Sequence, residues 1–169
     1  MARPKEFDRE SALDAAKDVF WRQGYAATTT EDLRQAMNIG RQSFYDTFVG
    51  KREAFLEVLQ RYSEDGVRTS IERARTGKTP FAALEKLLFG YVEAPSAASK
   101  ALGCLGVGTV GEFDAADPEV NRIHALSDAR LEQLLRDLLV DAKAKKQLRE
   151  SVDVKAATQQ LKAIILGMK

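Results

Sequence analysis

Apolar residues recur three or four positions apart along most of this chain, a spacing that places them on one side of an α-helix. The first such segment follows Asp8, which can cap a helix, and stops at Gly24. Two shorter segments follow, one after Thr29 and one after Gly40. The pattern predicts three short helices packed on one another. We expect their core to contain Leu13, Phe20, Leu33, Ile39, Phe44 and Phe48.

The second and third segments carry the local signals of a helix-turn-helix. Thr29 can cap the second helix, and Asp32 stands where a near capping box needs it. Asn38 tolerates the left-handed conformation of a tight turn, and Ile39 can fill the angle between the helices. Phe44 faces inward, while the rest of the third helix shows side chains that donate, accept or stack: Arg41, Gln42, Ser43 and Tyr45. Such a face suits the major groove of DNA.

Helical spacing continues through the rest of the chain. A long helix is predicted over 51–74, and Thr79 followed by Pro80 is the strongest helix-start signal. Residues 103–113 contain four glycines among apolar residues, which fit a strand, a bulge or a closely packed helix. We predict a helix there, because no second strand is available for pairing. Asp117 and Asp153 begin two more helices, and the chain ends inside the last of them.

An all-α fold with two parts follows from these elements. We expect residues 1–50 to form a three-helix, helix-turn-helix DNA-binding domain and residues 51–169 to form a larger helical domain. The helix over 51–74 connects them. At 169 residues the chain is long enough for a small module attached to a larger one.

Composition indicates a cytoplasmic protein, but charge alone says little about DNA. The chain is 44% hydrophobic and 30% charged, its start Met-Ala-Arg-Pro-Lys-Glu lacks the apolar core of a signal peptide, and one cysteine excludes an internal disulfide. The net charge is only +1. Four basic residues lie in or near the third helix: Arg34, Arg41, Lys51 and Arg52. The same stretch contains a single acidic residue, Asp46, and Arg3 and Lys5 lie in an N-terminal arm. On charge alone, an ordinary solvated face is the preferred explanation of that cluster.

Residues that carry enzyme chemistry are sparse. The chain has one histidine, His124, and one cysteine, Cys104, and it has no phosphate loop and no metal-ligand spacing. Cys104 stands in an apolar stretch and is interpreted as a small buried residue rather than a redox sensor. Glu112 and Asp114 are interpreted as turn or cap residues near Pro118. We therefore predict no enzyme, no metal and no cofactor.

The first sixty or so positions resemble the tetracycline-repressor (TetR) type of bacterial transcriptional regulators. The resemblance rests on an apolar helix followed by a set of paired residues: Gly24-Tyr25, Thr28-Thr29, Phe44-Tyr45, Phe48 and Lys51-Arg52. The sequence departs from the family pattern where Asn38 replaces a turn glycine, Gly40 replaces a serine cap, and Gly50 replaces a polar residue. The family also completes its dimer with two C-terminal helices, of which one is visible, so either a truncated chain or a missing tail is expected.

The resemblance implies a role for each polar residue of the motif. Thr29 and Lys51 would hold phosphates, and Tyr45 would reach the backbone or a thymine methyl group. Thr30, Arg41, Gln42 and Ser43 stand where family members touch bases or phosphates. The chemistry agrees, because Arg can bond a guanine edge twice and Gln an adenine edge twice.

The resemblance also implies that residues 51–169 form a ligand-binding and dimerisation domain. The resulting hypothesis is a homodimeric regulator, most simply a repressor of a near-palindromic operator that a small-molecule effector releases. A largely apolar ligand pocket is expected around Leu88, Phe89, Tyr91, Cys104, Val107 and Phe113. The dimer surface is expected at Leu161, Ile164, Ile165 and Met168. Both sets also fit plain core packing. The alternative function is a helical protein-interaction adaptor without DNA binding.

Overall fold

The computed structural model describes residues 8–93, 102–113 and 117–169, and within these ranges it contains helices and no strands. The predicted all-α fold is confirmed, including a helix in the glycine-rich stretch. None of the described helices is long and apolar enough to span a membrane. The eight helices with described bounds are α1 (Arg9–Ala27), α2 (Thr30–Met37), α3 (Arg41–Phe48), α4 (Lys51–Arg75), α5 (Pro80–Val92), α6 (Leu105–Phe113), α7 (Pro118–Ala144) and α8 (Val154–Met168).

Several helices begin directly after the capping residues that are predicted from the sequence. Asp8 accepts a hydrogen bond from the backbone N–H of Glu10, and Thr79 accepts one from Ala82 with Pro80 at the first helical position. Asp153 accepts from two backbone N–H groups at the start of α8. These bonds satisfy donors that a helix start leaves without intrahelical partners. Three positions of the sequence analysis lie outside the described residues: Arg3, Lys5 and Asp114.

The chain packs as two compact units, and each has its own apolar core. The first unit comprises the residues up to Tyr62 together with Cys104–Ile123, and the second comprises Ser63–Gly103 and His124–Lys169. The first unit therefore extends beyond the predicted boundary at residue 50. The reason is packing, because Phe55 and Leu59 of α4 and Leu105 of α6 are buried in the first core. A division of function at residue 50 stays a prediction.

The first core contains the residues that helical spacing selected. Leu33 and Phe44 are fully buried, and the other four predicted members are at most 8% exposed. Phe20 contacts Phe55 edge to face, with ring centroids 5.1 Å apart. The second core joins α5, α7 and α8 through these buried residues: Leu84, Leu87, Leu131, Leu135, Leu139 and Ile165.

An ion-pair cluster joins the start of α4 to the start of α7 inside the first unit. The guanidinium of Arg52 donates to both carboxylate oxygens of Asp117, at 2.8 and 3.2 Å, and to Glu119 at 2.7 Å. Asp117 also caps α7 by accepting from the backbone N–H groups of Glu119 and Val120. The Arg52 hydrogen bond, followed by that from Val120, lowers the pKa of Asp117 from 3.8 to about 2.

This cluster predicts how stability depends on pH. Because the pKa of Asp117 is lower in the folded protein than its ordinary value, its contribution is complete above about pH 4 and is lost as pH falls towards about 2. Asp117→Asn should lower the free energy of unfolding at pH 7. It should also make that free energy decrease less steeply between pH 4 and pH 2. Urea unfolding at stepped pH measures both effects. Asp18→Asn, an exposed aspartate on α1, is the control and should follow the wild-type curve. An unchanged slope in Asp117→Asn would refute the assignment.

Candidate nucleic-acid interface

A complete capping box starts α2. The backbone N–H of Asp32 donates to Thr29 Oγ1 at 3.1 Å, and Asp32 Oδ2 accepts from the backbone N–H of Thr29 at 2.8 Å. The Thr29 hydroxyl itself donates to the same carboxylate at 2.7 Å. That hydroxyl bond, with the backbone bond second, lowers the pKa of Asp32. The start of α2 is thereby held in one conformation, and Thr30 follows as its first, half-buried residue.

The turn between α2 and α3 has the predicted left-handed residue. Asn38 has φ 52° and ψ 46°, which ends α2 and turns the chain. The N–H of Ile39 then donates to the carbonyl of Arg34 at 3.1 Å, and the Ile39 side chain is buried in the first core. Gly40 caps α3 without a side-chain bond. A tight turn with an apolar plug therefore sets the path from one helix to the next.

The two faces of α3 differ sharply. Phe44 and Phe48 are buried in the first core, whereas Arg41, Gln42 and Tyr45 are exposed. Ser43 lies half-buried between the two faces, and its carbonyl accepts from Thr47 Oγ1 at 2.7 Å. The guanidinium carbon of Arg41 lies 6.0 Å from the ring centroid of Tyr45. The guanidinium, amide and phenol that sequence analysis selected thus share one accessible side of a short helix.

Residues 25–28, the segment that leads into α2, are held by Lys51 in the first turn of α4. Lys51 Nζ donates to the carbonyls of Tyr25 and Thr28, at 2.9 and 2.8 Å, and lies 4.3 Å from the centroid of the Tyr25 ring. An ammonium group has three donors, so two of them are committed to the protein. Lys51 therefore positions the segment, and among the described residues its third donor has no hydrogen-bond acceptor.

Glu112 of α6 holds the same segment from another side. Its carboxylate accepts from the backbone N–H groups of Tyr25 and Ala26, at 2.8 and 3.2 Å. Gly24 makes this approach possible with φ 77° and ψ 173°, a conformation nearly restricted to glycine, and an added Cβ would lie 2.4 Å from Glu112 Oε1. The cap interpretation of Glu112 thus needs correction, because it caps a turn 87 residues away rather than the neighbourhood of Pro118. No local signal in the sequence indicates that partner.

The six residues predicted to line a ligand pocket fall three in each unit. In the first unit, Phe113 packs in the core, 4.8 Å from the Tyr25 ring, and Val107 is exposed. Cys104 is half-buried and accepts from the Tyr62 hydroxyl at 3.5 Å, and burial is the main cause of the raised pKa of Tyr62. The pocket stays a prediction, and Phe113 has an ordinary packing role.

In the second unit, Leu88 is half-buried and Phe89 is 61% exposed. The Tyr91 hydroxyl lies 2.7 Å from Ser70 Oγ, a buried side chain. Tyr91 thus combines an apolar ring with a satisfied hydroxyl group. Among the described residues of the chain, no three His, Cys, Asp or Glu side chains are grouped as a metal site requires.

The predicted dimer stripe on α8 is only partly a surface. Ile165 is 1% exposed and belongs to the core of the second unit, so its assignment to a dimer surface is corrected. Leu161 and Met168 pack partly against the same core. The exposed apolar residues near the end of α8 are Ile164, at 53%, and Leu166, at 62%. Helical phase explains the difference, since adjacent residues on a helix point about 100° apart.

Family models and known proteins agree with this architecture. The model of bacterial regulatory proteins of the tetR family matches residues 12–58, and a tetracyclin repressor-like C-terminal domain matches residues 80–169. The HTH-type transcriptional regulator YezE of Bacillus subtilis is 31% identical over 162 residues, covering 95% of this chain and 84% of that protein. The HTH-type transcriptional repressor ComR of Escherichia coli is 26% identical, covering 98% and 80%.

A solved structure resembles the whole chain. It is the TetR family transcriptional regulator CifR, as a cysteine mutant in complex with 26-base-pair double-stranded operator DNA. It is 25% identical with a TM-score of 0.76, and the match covers 98% of this chain and 87% of that one. The likeness therefore includes both the helix-turn-helix and the helices after it.

Gly24 and Glu112 predict a stability difference between two glycine substitutions. Gly24→Ala should lower the free energy of unfolding by about 1–3 kcal/mol for the backbone conformation alone, and more from the clash with Glu112. Gly66→Ala is the matched control, because Gly66 lies inside α4 with open space around its Cβ position. It should raise stability by about 0.5–1 kcal/mol. Urea unfolding of the two variants measures this, and equal effects would contradict the geometry.

Proposed function

The chain belongs to the tetracycline-repressor family of bacterial DNA-binding transcriptional regulators, and on that premise we propose that it is a homodimeric repressor. It binds a near-palindromic operator in the cytoplasm, and a small-molecule effector releases it. The proteins it resembles are transcriptional regulators, and we propose no enzymatic activity.

The observation that carries the proposal is the accessible face of α3. Arg41 can donate twice to O6 and N7 of guanine, and Gln42 can bond both N7 and N6 of adenine. Tyr45 presents an exposed ring and hydroxyl beside them, suited to a thymine methyl group or the backbone. The opposite face is anchored by Phe44 and Phe48, so the helix can enter a groove without exposing its core.

Four further side chains are proposed to set the register along the backbone. Thr29, Thr30 and Ser43 are small hydroxyl residues around the helix-turn-helix, and such groups mostly bond phosphate oxygens. Lys51 has one donor left after its bonds to two carbonyl groups. A phosphate bound to Lys51 would also lie beside residues 25–28, which Lys51 holds in place.

Dimerisation is proposed because one helix-turn-helix reads only half of a palindrome. Two α3 helices need a separation near one duplex turn, about 34–36 Å. Ile164, which is exposed on α8, is the candidate contact residue, and Leu161 and Met168 lie towards the same side of the helix. In the CifR complex the DNA is an operator duplex of 26 base pairs. Its length accommodates more than one half-site.

The effector step is proposed as a shift between two conformers. A ligand that binds best when the half-site spacing is wrong lowers the fraction of protein able to bind DNA. We propose that such a ligand is small and largely apolar.

The proposal predicts a loss of specific binding when the side chains of Arg41 and Gln42, on the accessible face of α3, are shortened to alanine. The operator is first selected from random duplexes with the wild-type protein. Arg41→Ala combined with Gln42→Ala should then weaken operator binding on the order of 100-fold, because two bidentate base contacts are lost. Binding to random duplex should fall far less, since phosphate contacts remain. Gel shifts at fixed salt measure both affinities.

A matched control uses another exposed arginine and glutamine, Arg130→Ala with Gln133→Ala on α7, which should leave both affinities unchanged. A wild-type protein that selects no sequence from the random pool would refute the proposal. That result would favour the alternative, a protein-interaction adaptor without DNA binding.

A further inference from the structure

A glutamine and an aspartate form a pair on the exposed face of α3. Gln42 Nε2 donates to Asp46 Oδ1 at 2.8 Å, one helical turn away, and both side chains are exposed. Within the described part of the chain, Asp46 takes part in no ion pair. No ion pair in that part of the chain therefore offsets the negative charge of this carboxylate beside Gln42.

Two physical effects disfavour a carboxylate at this position. Asp46 lies in the last turn of α3, where the helix dipole is negative and favours cations. It also stands on the face that is proposed to approach DNA phosphates, which repel it. The helix dipole and general DNA affinity both disfavour Asp46, whereas its bond to Gln42, a pair of the kind that stabilises a helix surface, gives the side chain a role.

That bond fixes which atoms the Gln42 amide presents. An ionised carboxylate only accepts hydrogen bonds, so the NH₂ end of the amide must face it. One N–H and the carbonyl Oε1 of Gln42 then remain for an outside partner. In the major groove adenine offers one acceptor, N7, and one donor, N6–H₂, which match this pair of groups. Guanine offers two acceptors, and cytosine offers one donor.

We propose that Asp46 is a specificity-determining residue, which orients the Gln42 amide so that it selects adenine in each half-site. The inference rests on the proposed function, because it needs an operator. Asp46 acts through Gln42 and does not touch the base. Its negative charge weakens general binding to DNA, and its bond to Gln42 increases the discrimination between bases.

The test measures base preference rather than affinity alone. Wild type, Asp46→Ala, Gln42→Ala and the double variant compete for the selected operator and for versions in which each half-site base pair is replaced. Wild type should prefer adenine at one position by about tenfold. Asp46→Ala should reduce that preference to about threefold or less and bind random duplex more tightly, because a negative charge is lost. In the Gln42→Ala background, Asp46→Ala should leave the preference unchanged.

The chain supplies a matched control for the pair itself. Gln133 Nε2 donates to Asp137 Oδ1 at 2.7 Å on α7, with the same spacing and with both side chains exposed. Asp137→Ala should change neither base preference nor random binding. The melting temperature of Asp46→Ala should differ from that of wild type by no more than the melting temperature of Asp137→Ala does.

Three results would overturn the inference while leaving the proposed function intact. The first is an adenine preference that survives in Asp46→Ala. The second is a wild-type operator without a preferred adenine that depends on Gln42. The third is a preference that Asp46→Ala alters in the Gln42→Ala background, which would make Asp46 a direct reader of cytosine. Absence of any selected sequence would instead refute the proposed function, and this inference with it.

Discussion

Burial of one face of α3 is the constraint on which the rest of the first unit depends. An eight-residue helix does not persist alone in water, so its conformation comes from packing. Phe44 and Phe48 supply that packing, and both are almost completely inaccessible to solvent. Once these two rings are in the core, helical geometry dictates which side chains face outward. Arg41, Gln42 and Tyr45 are accessible for that reason.

Residues 24–28, which lead from the end of α1 into α2, show how the first unit joins distant parts of the chain. Glu112 binds N–H groups of this segment, and Lys51 binds its carbonyl groups. Gly24 adopts the conformation that lets the carboxylate approach. Three helices therefore meet at the entry to α2, and α6 belongs structurally to the unit that carries the helix-turn-helix. A displacement of α6 would act directly on this entry.

Electrostatics on α3 favour selectivity over general attraction. The chain has a net charge of +1, so long-range attraction to DNA is modest. Lys51 uses two of its donors within the protein, and Asp46 adds a negative charge to the exposed face of α3. Side-chain pairs one turn apart, Arg41 with Tyr45 and Gln42 with Asp46, restrict rotamers before any contact with bases. Such ordering lowers the entropy that recognition costs.

Local signals in the sequence were sufficient for the helix starts after Asp8, Thr29, Thr79 and Asp153, for the left-handed turn at Asn38 and for the first core, because caps, turns and apolar spacing act within a few residues. They also selected the exposed groups of α3. Only the tertiary structure decided that Glu112 caps a turn near Gly24, that Ile165 rather than Ile164 is buried, and that α6 joins the first unit. These outcomes depend on contacts between residues far apart in the chain and on the rotation of whole helices, which no short stretch of sequence encodes.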